Sequence, residues 1–99
     1  MESFSDKQPY EEYYVDFDFV NVVVSPDTIA SAVVSVVDEL GADATATVTT
    51  AIKQNIDSPK VYIWVNGGTT GKVYTITCKV ATVNGEKYEM EGTLSVTEK

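Results

Sequence analysis

Catalysis in this 99-residue chain would have to be built without histidine, because the sequence contains none. That removes the side chain most often used as a general base and as a transition-metal ligand. The single cysteine, Cys78, has no imidazole to activate it, no partner for an intrachain disulfide and too few companions for a structural zinc site. It falls in the alternation Tyr74, Ile76, Cys78, Val80, which predicts a small buried hydrophobe. Asp16 and Asp18 share a predicted strand face and could approach a hard cation, but no loop carries the clustered oxygen ligands of a calcium site, so a solvated acidic face is expected. The run Asn66-Gly67-Gly68-Thr69-Thr70-Gly71-Lys72 has the glycines and lysine of a phosphate loop without its spacing or the helix that must follow it. A turn is expected there. Tyr10, Tyr13, Tyr14, Tyr62, Trp64, Tyr74 and Tyr88 could stack on sugars or bases, although most read more simply as core or cross-strand residues. The residues therefore predict no catalytic, cofactor-binding or metal-binding position, and no enzyme.

The elements that would position these residues read as strands. From Tyr13 to Phe19 the chain alternates, with Tyr13, Val15, Phe17 and Phe19 on one face and Tyr14, Asp16 and Asp18 on the other. Val20 to Val24 continues apolar until Ser25-Pro26-Asp27-Thr28, where a break is expected. Ile29 to Leu40 is ambiguous. Its apolar residues fit a helical stripe closed by Gly41, yet its β-branched content and the strands around it favour an extended segment, which is the reading adopted. Gly41-Ala42-Asp43 is a loop, and Thr45 to Ile52 reads as a Thr-rich edge strand anchored by Val48.

Lys53 to Pro59 is a connection, followed by Lys60 to Val65, where Val61, Ile63 and Val65 oppose Tyr62 and Trp64 and both faces are expected to be covered. Two long strands follow, Lys72 to Val83 and Glu86 to Thr97, with a bulge or bend expected near Gly92. The three segments from Val61 to Val96 are joined by Asn66–Gly71 and by Asn84-Gly85, and read as a β-meander. Asn-Gly favours a type I′ hairpin turn because both residues tolerate positive φ. Six or seven short strands separated by turns predict an all-β sandwich.

Composition bounds the rest. Formal charge is −8, and the bases are seven lysines spread singly, which argues against nucleic acid as a partner. No apolar run approaches the roughly 18 residues of a membrane span. A lone cysteine fits folding in a reducing compartment. Residues 1–9 are polar and unpatterned apart from Phe4, and are expected to form a flexible arm, with the domain running from 10 to 99.

A resemblance adds what these arguments leave open. The run from Trp64 through Asn66-Gly67-Gly68-Thr69-Thr70-Gly71, then Tyr74-Thr75-Ile76-Thr77-Cys78-Lys79-Val80-Ala81-Thr82 and Asn84-Gly85-Glu86, resembles small virion proteins of tailed phages and prophages described as fibre–tail adaptors. Lys7-Gln8-Pro9-Tyr10-Glu11, Tyr14-Val15-Asp16-Phe17 and Asp27-Thr28-Ile29-Ala30-Ser31-Ala32 resemble the same family's opening strand and the segment after it. Around Val34 the chain has valines where that family often has a tryptophan. The resemblance implies an immunoglobulin-like β-sandwich and an architectural role in a virion assembled in the bacterial cytoplasm. It also implies contacts to other tail or fibre proteins, with a homo-oligomer or ring as a possible assembly. It names no catalytic residue. Two other readings remain open: a recognition module that binds host-surface carbohydrate through Trp64 and Tyr62, and a head decoration protein.

Overall fold

A computed structural model describes residues 2–4 and 6–98. Among the described residues seven strands form two sheets: β1 (Glu2–Ser3), β2 (Tyr13–Asp18), β3 (Ile29–Val37), β4 (Asn55–Asp57), β5 (Lys60–Val65), β6 (Lys72–Thr82) and β7 (Lys87–Val96). One sheet has the order β1-β7-β6-β3 and the other β2-β5-β4. All pairings are antiparallel except β1 with β7. Alternation explains the layering: Val15, Phe17, Val61, Ile63 and Val65 of one sheet and Val36, Tyr74, Ile76, Cys78, Leu94 and Val96 of the other belong to a single buried cluster. The expected all-β architecture, with Ile29–Val37 extended, holds.

The meander does not. Asn66–Gly71 carries the chain from β5 in one sheet to β6 in the other, so the β6–β7 pair is the hairpin of this region. Its turn also differs from the expected type I′. The Gly85 N–H donates to the Thr82 carbonyl at 3.0 Å and Thr82 N–H to the Glu86 carbonyl at 2.8 Å, with Gly85 at φ +88° and no non-glycine residue of the turn at positive φ. This is a three-residue loop in which glycine alone takes the left-handed position.

Thr45–Ile52 is not a strand. Thr45–Val48 is one helical turn, α1, and Ala51–Lys53 is a 3-10 turn. Threonine hydroxyls satisfy the backbone locally here, in competition with a ladder. Asp43 accepts from the Thr45 N–H at 3.1 Å and from its hydroxyl at 2.7 Å, and the Thr49 hydroxyl donates to the Thr45 carbonyl at 2.6 Å. Val48 is fully buried, so the expected anchor is real although its element is not. Part of the expected connection Lys53–Pro59 pairs as β4. Val20–Val24 turns rather than extends, with Phe19 C=O accepting from the N–H groups of Val22 and Val23.

Gly92 produces no bulge. The β6–β7 register is continuous from Lys72↔Val96 to Ala81↔Lys87, and the irregularity lies instead in β3, between Ile29 and Ser31. Gly92 serves a close approach. A Cβ there would lie 2.6 Å from Phe4 Cε2, and the Phe4 ring packs edge-on against Phe17 with centroids 5.4 Å apart.

That contact corrects the expectation for the amino-terminal residues. They dock along β7: Phe4 N–H donates to Thr93 C=O, Lys7 N–H to Ser95 C=O and Thr97 N–H to Lys7 C=O, all at 2.8–2.9 Å. Lys7 is fully buried, and its ammonium donates to the carbonyls of Gly67 at 2.6 Å and Gln8 at 2.9 Å. Burial pushes its pKa down, with Glu11 and Glu12 opposing the shift. A polar sequence concealed this docking because, apart from the Phe4 ring, its interactions are main-chain bonds and one lysine that satisfies carbonyls.

Candidate functional site

Among the described residues no group of three or more His, Cys, Asp or Glu side chains is placed to hold a metal ion. No helix among them is long and apolar enough to cross a membrane. Cys78 is buried in the core, where desolvation pushes its thiol up to about 12. The glycine run at 66–71 is a crossover turn. Gly67, at φ +55°, leaves no room for a Cβ against the Thr47 carbonyl and offers its own carbonyl to Lys7. Asn66 N–H donates to the Val48 carbonyl at 2.7 Å, which ties the turn to α1. A concavity of about 810 Å³ beside it, walled by Pro9–Tyr13, Asn66 and Gly67, carries Tyr10 at 95% exposure. It is a shelf, without the enclosure that buries a small ligand.

Two surface features bear on contacts with other chains, and both lead to the β2-β5-β4 sheet. The first is an aromatic face. The register sets Tyr14 opposite Trp64 and Asp16 opposite Tyr62, so these side chains share the outer face. Tyr14 meets Trp64 and Tyr62 edge-on, with centroids 4.9 and 6.3 Å apart. The Lys53 ammonium lies 4.0 Å from the Trp64 ring centroid, and the Tyr14 hydroxyl donates to the Lys53 carbonyl at 2.8 Å. The covering expected on both sides of β5 is thus partial: Tyr62 and Trp64 are half-buried by neighbours in their own layer. Periodicity placed both on one face, but Tyr14 and Lys53 join them through pairing and turn geometry that the alternation does not encode.

The second feature is the distribution of open sheet edges. On β3, the Thr45 hydroxyl accepts from Val36 N–H at 2.9 Å, Ala44 N–H donates to Val36 C=O at 2.8 Å, and the Gln54 amide donates to Ala32 C=O at 3.2 Å. That edge is sealed at Val36 and at the Ala32 carbonyl, so its open run is interrupted. β4 is three residues long, and β1 two. β2 is different. Phe19 N–H donates to Pro59 C=O at 2.8 Å, so the odd-numbered residues of β2 face β5. Tyr14, Asp16 and Asp18 therefore turn their backbone groups outward, where no bond to another described residue meets them. The edge expected at Thr45–Ile52 is found at β2, on the best-patterned strand of the amino-terminal half. The sealing role of Gln54 had no signal in the sequence.

A comparison with curated proteins gives no match. Residues 7–95 match the family described as "Podophage GP4 fiber-tail adaptor protein gp77". The match begins at the buried Lys7 and ends within β7, so it spans both sheets and their shared core. The chain belongs to this family of phage fibre–tail adaptor proteins.

Proposed function

We propose that this protein is a non-enzymatic joint that connects fibre and tail components in the particle of a tailed phage. The carrying observation is the family match over residues 7–95, which takes in the whole two-sheet core rather than one motif. The strand order 1-7-6-3 over 2-5-4 supports an immunoglobulin-like reading of the sandwich, with the first strand lying beside the last. A rigid sandwich suits the role, because it holds its adhesive edges in fixed orientation with little ordering cost on docking. The partners are other tail proteins, with copies arranged as a homo-oligomer or ring. Neither nucleic acid nor membrane is a partner in this reading, and the acidic balance supports the first exclusion.

Mass spectrometry of purified particles, with electron microscopy to place the protein, tests the reading. The protein is expected in the particle between fibre and tail. Its absence, or complete infectious tails in particles that lack it, would overturn the proposal. The aromatic face formed by Tyr14, Tyr62 and Trp64 favours a second reading, recognition of carbohydrate by stacking. Trp64→Ala separates the two: it abolishes glycan binding if recognition is the function and leaves particle assembly intact.

A further inference from the structure

We propose that the outer edge of β2 is a strand-addition site for an extended, basic segment of another virion protein, and that the aspartates on this edge prevent two copies of the chain from pairing there. The inference rests on the adaptor reading for the identity of the partner as a virion component. Its physical basis is independent of that reading.

The backbone N–H and C=O groups of Tyr14, Asp16 and Asp18 point away from β5 and have no bond to another described residue. They repeat at the two-residue spacing that an added strand needs. On β3 the run is interrupted by Thr45 and Ala44 at Val36 and by Gln54 at the Ala32 carbonyl, and β1 and β4 are too short to offer the same run. Strand addition takes affinity from such main-chain groups and specificity from the side chains that flank them.

The flanking side chains select the partner. An antiparallel self-pair centred on Asp16 sets Asp16 against Asp16. Sliding it by one residue pair in one direction sets Asp16 against Asp18, and in the other sets Glu12 against Asp18. Directly opposed residues lie about 5 Å apart, and like charges at that separation oppose pairing. Lys60 stands opposite Asp18 on β5 but makes no ion pair with it, so the edge keeps its negative charge. A strand with lysine or arginine at alternate positions reverses the sign of every one of these contacts. Charge on an edge strand commonly guards against self-association, and here it also sets what is accepted.

The test mixes wild-type protein with its own charge-reversed variant, D16K/D18K, which presents the same edge with opposite charge. Each alone is expected to be monomeric by native mass spectrometry, and the mixture to form a 1:1 pair. Amide shifts in the wild-type chain should be confined to residues 13–19, and the pair should weaken about tenfold or more in ~1 M salt, where the Debye length falls to roughly 3 Å. No association, shifts centred elsewhere, or a wild-type dimer through β2 would overturn the proposal. If D16K/D18K fails to fold, the neutral D16S/D18S variant replaces it: loss of repulsion should then give self-pairing through β2, and a monomer up to millimolar concentration counts against the site. Hydrogen exchange in purified particles separates the two readings. Protection of the Tyr14, Asp16 and Asp18 amides is expected; free-protein exchange rates in particles that contain the chain would remove this inference and leave the adaptor reading standing.

Discussion

Replacing Gly92 by alanine should displace Phe4, and the loss should vanish in a chain that has no ring at position 4. Gly92 sits in a regular stretch of β7 and has no positive φ, so alanine suits its backbone, and an interior strand position gains about 0.5–1 kcal/mol from losing glycine's excess freedom. Against this stands the new methyl group, 2.6 Å from Phe4 Cε2, 2.9 Å from Cζ and 3.3 Å from Phe17 Cε1. The Phe17 ring is fixed in the core, so Phe4 must give way. Truncating a fully buried phenylalanine costs about 3–5 kcal/mol. Phe4 is half-buried, so roughly half of that, about 2 kcal/mol including the edge contact with Phe17, is at stake. G92A should therefore destabilise by about 1–1.5 kcal/mol net, F4A by about 2, and F4A/G92A should be no less stable than F4A alone. For a domain of this size, 1 kcal/mol corresponds to about 4–8 °C in Tm. Urea denaturation followed by Trp64 fluorescence gives the three values. Additive costs in the double variant would refute the argument, since they would mean that Gly92 is needed for something other than room for Phe4.

Removing residues 1–9 should lower stability by several kcal/mol and not merely weaken assembly, because it deletes the β7 pairing and leaves the Gly67 carbonyl without its ammonium donor; an unchanged thermal midpoint would contradict this. Lys7→Met should cost about 1–3 kcal/mol by the same orphaned carbonyl, read from urea midpoints at constant m-value. Native Cys78 should resist thiol reagents at pH 8 until the chain unfolds, and labelling at the denatured rate would show it to be accessible. Since its folded pKa of about 12 lies above the ordinary 9.0, the unfolded chain loses the thiol proton first. The stability this supplies is whole below pH 9 and is lost as pH rises towards 12. Cys78→Ala should flatten that alkaline decline.

What the sequence revealed and what it concealed divide along a physical line. Val15, Phe17, Val61, Ile63, Tyr74, Ile76 and Cys78 announce themselves because one face of each strand is buried and period-two alternation records burial directly. Ile29–Val37 was legible through β-branching even though its spacing also fits a helix. Partnership between strands was not legible. Asn66–Gly71 reads as a hairpin turn because its glycines satisfy local geometry either way, and which sheet β6 joins is decided by the core. Thr45–Val48 was misread because threonine is a good strand residue whose hydroxyl also caps and closes turns. Gly92 signals either a bulge or a close approach, and only the position of Phe4 decides between them. The open edge of β2 was hidden for a similar reason: alternation shows which side chains are buried and is silent on which backbone groups lack a neighbour.

The docking of residues 2–4 and of Lys7 beside β7 has a mechanical consequence. These two stretches run parallel, so tension applied through the two ends of the chain pulls them lengthwise past each other. The bonds from Phe4 to Thr93, Lys7 to Ser95 and Thr97 to Lys7 then share the force at once instead of parting in sequence from one end. The Lys7 ammonium, held by carbonyls from the 66–71 turn and from its own segment, adds a clasp at the end of that seam. Pulled through its two ends, the molecule resists in shear where an antiparallel pair loaded at its open end would peel.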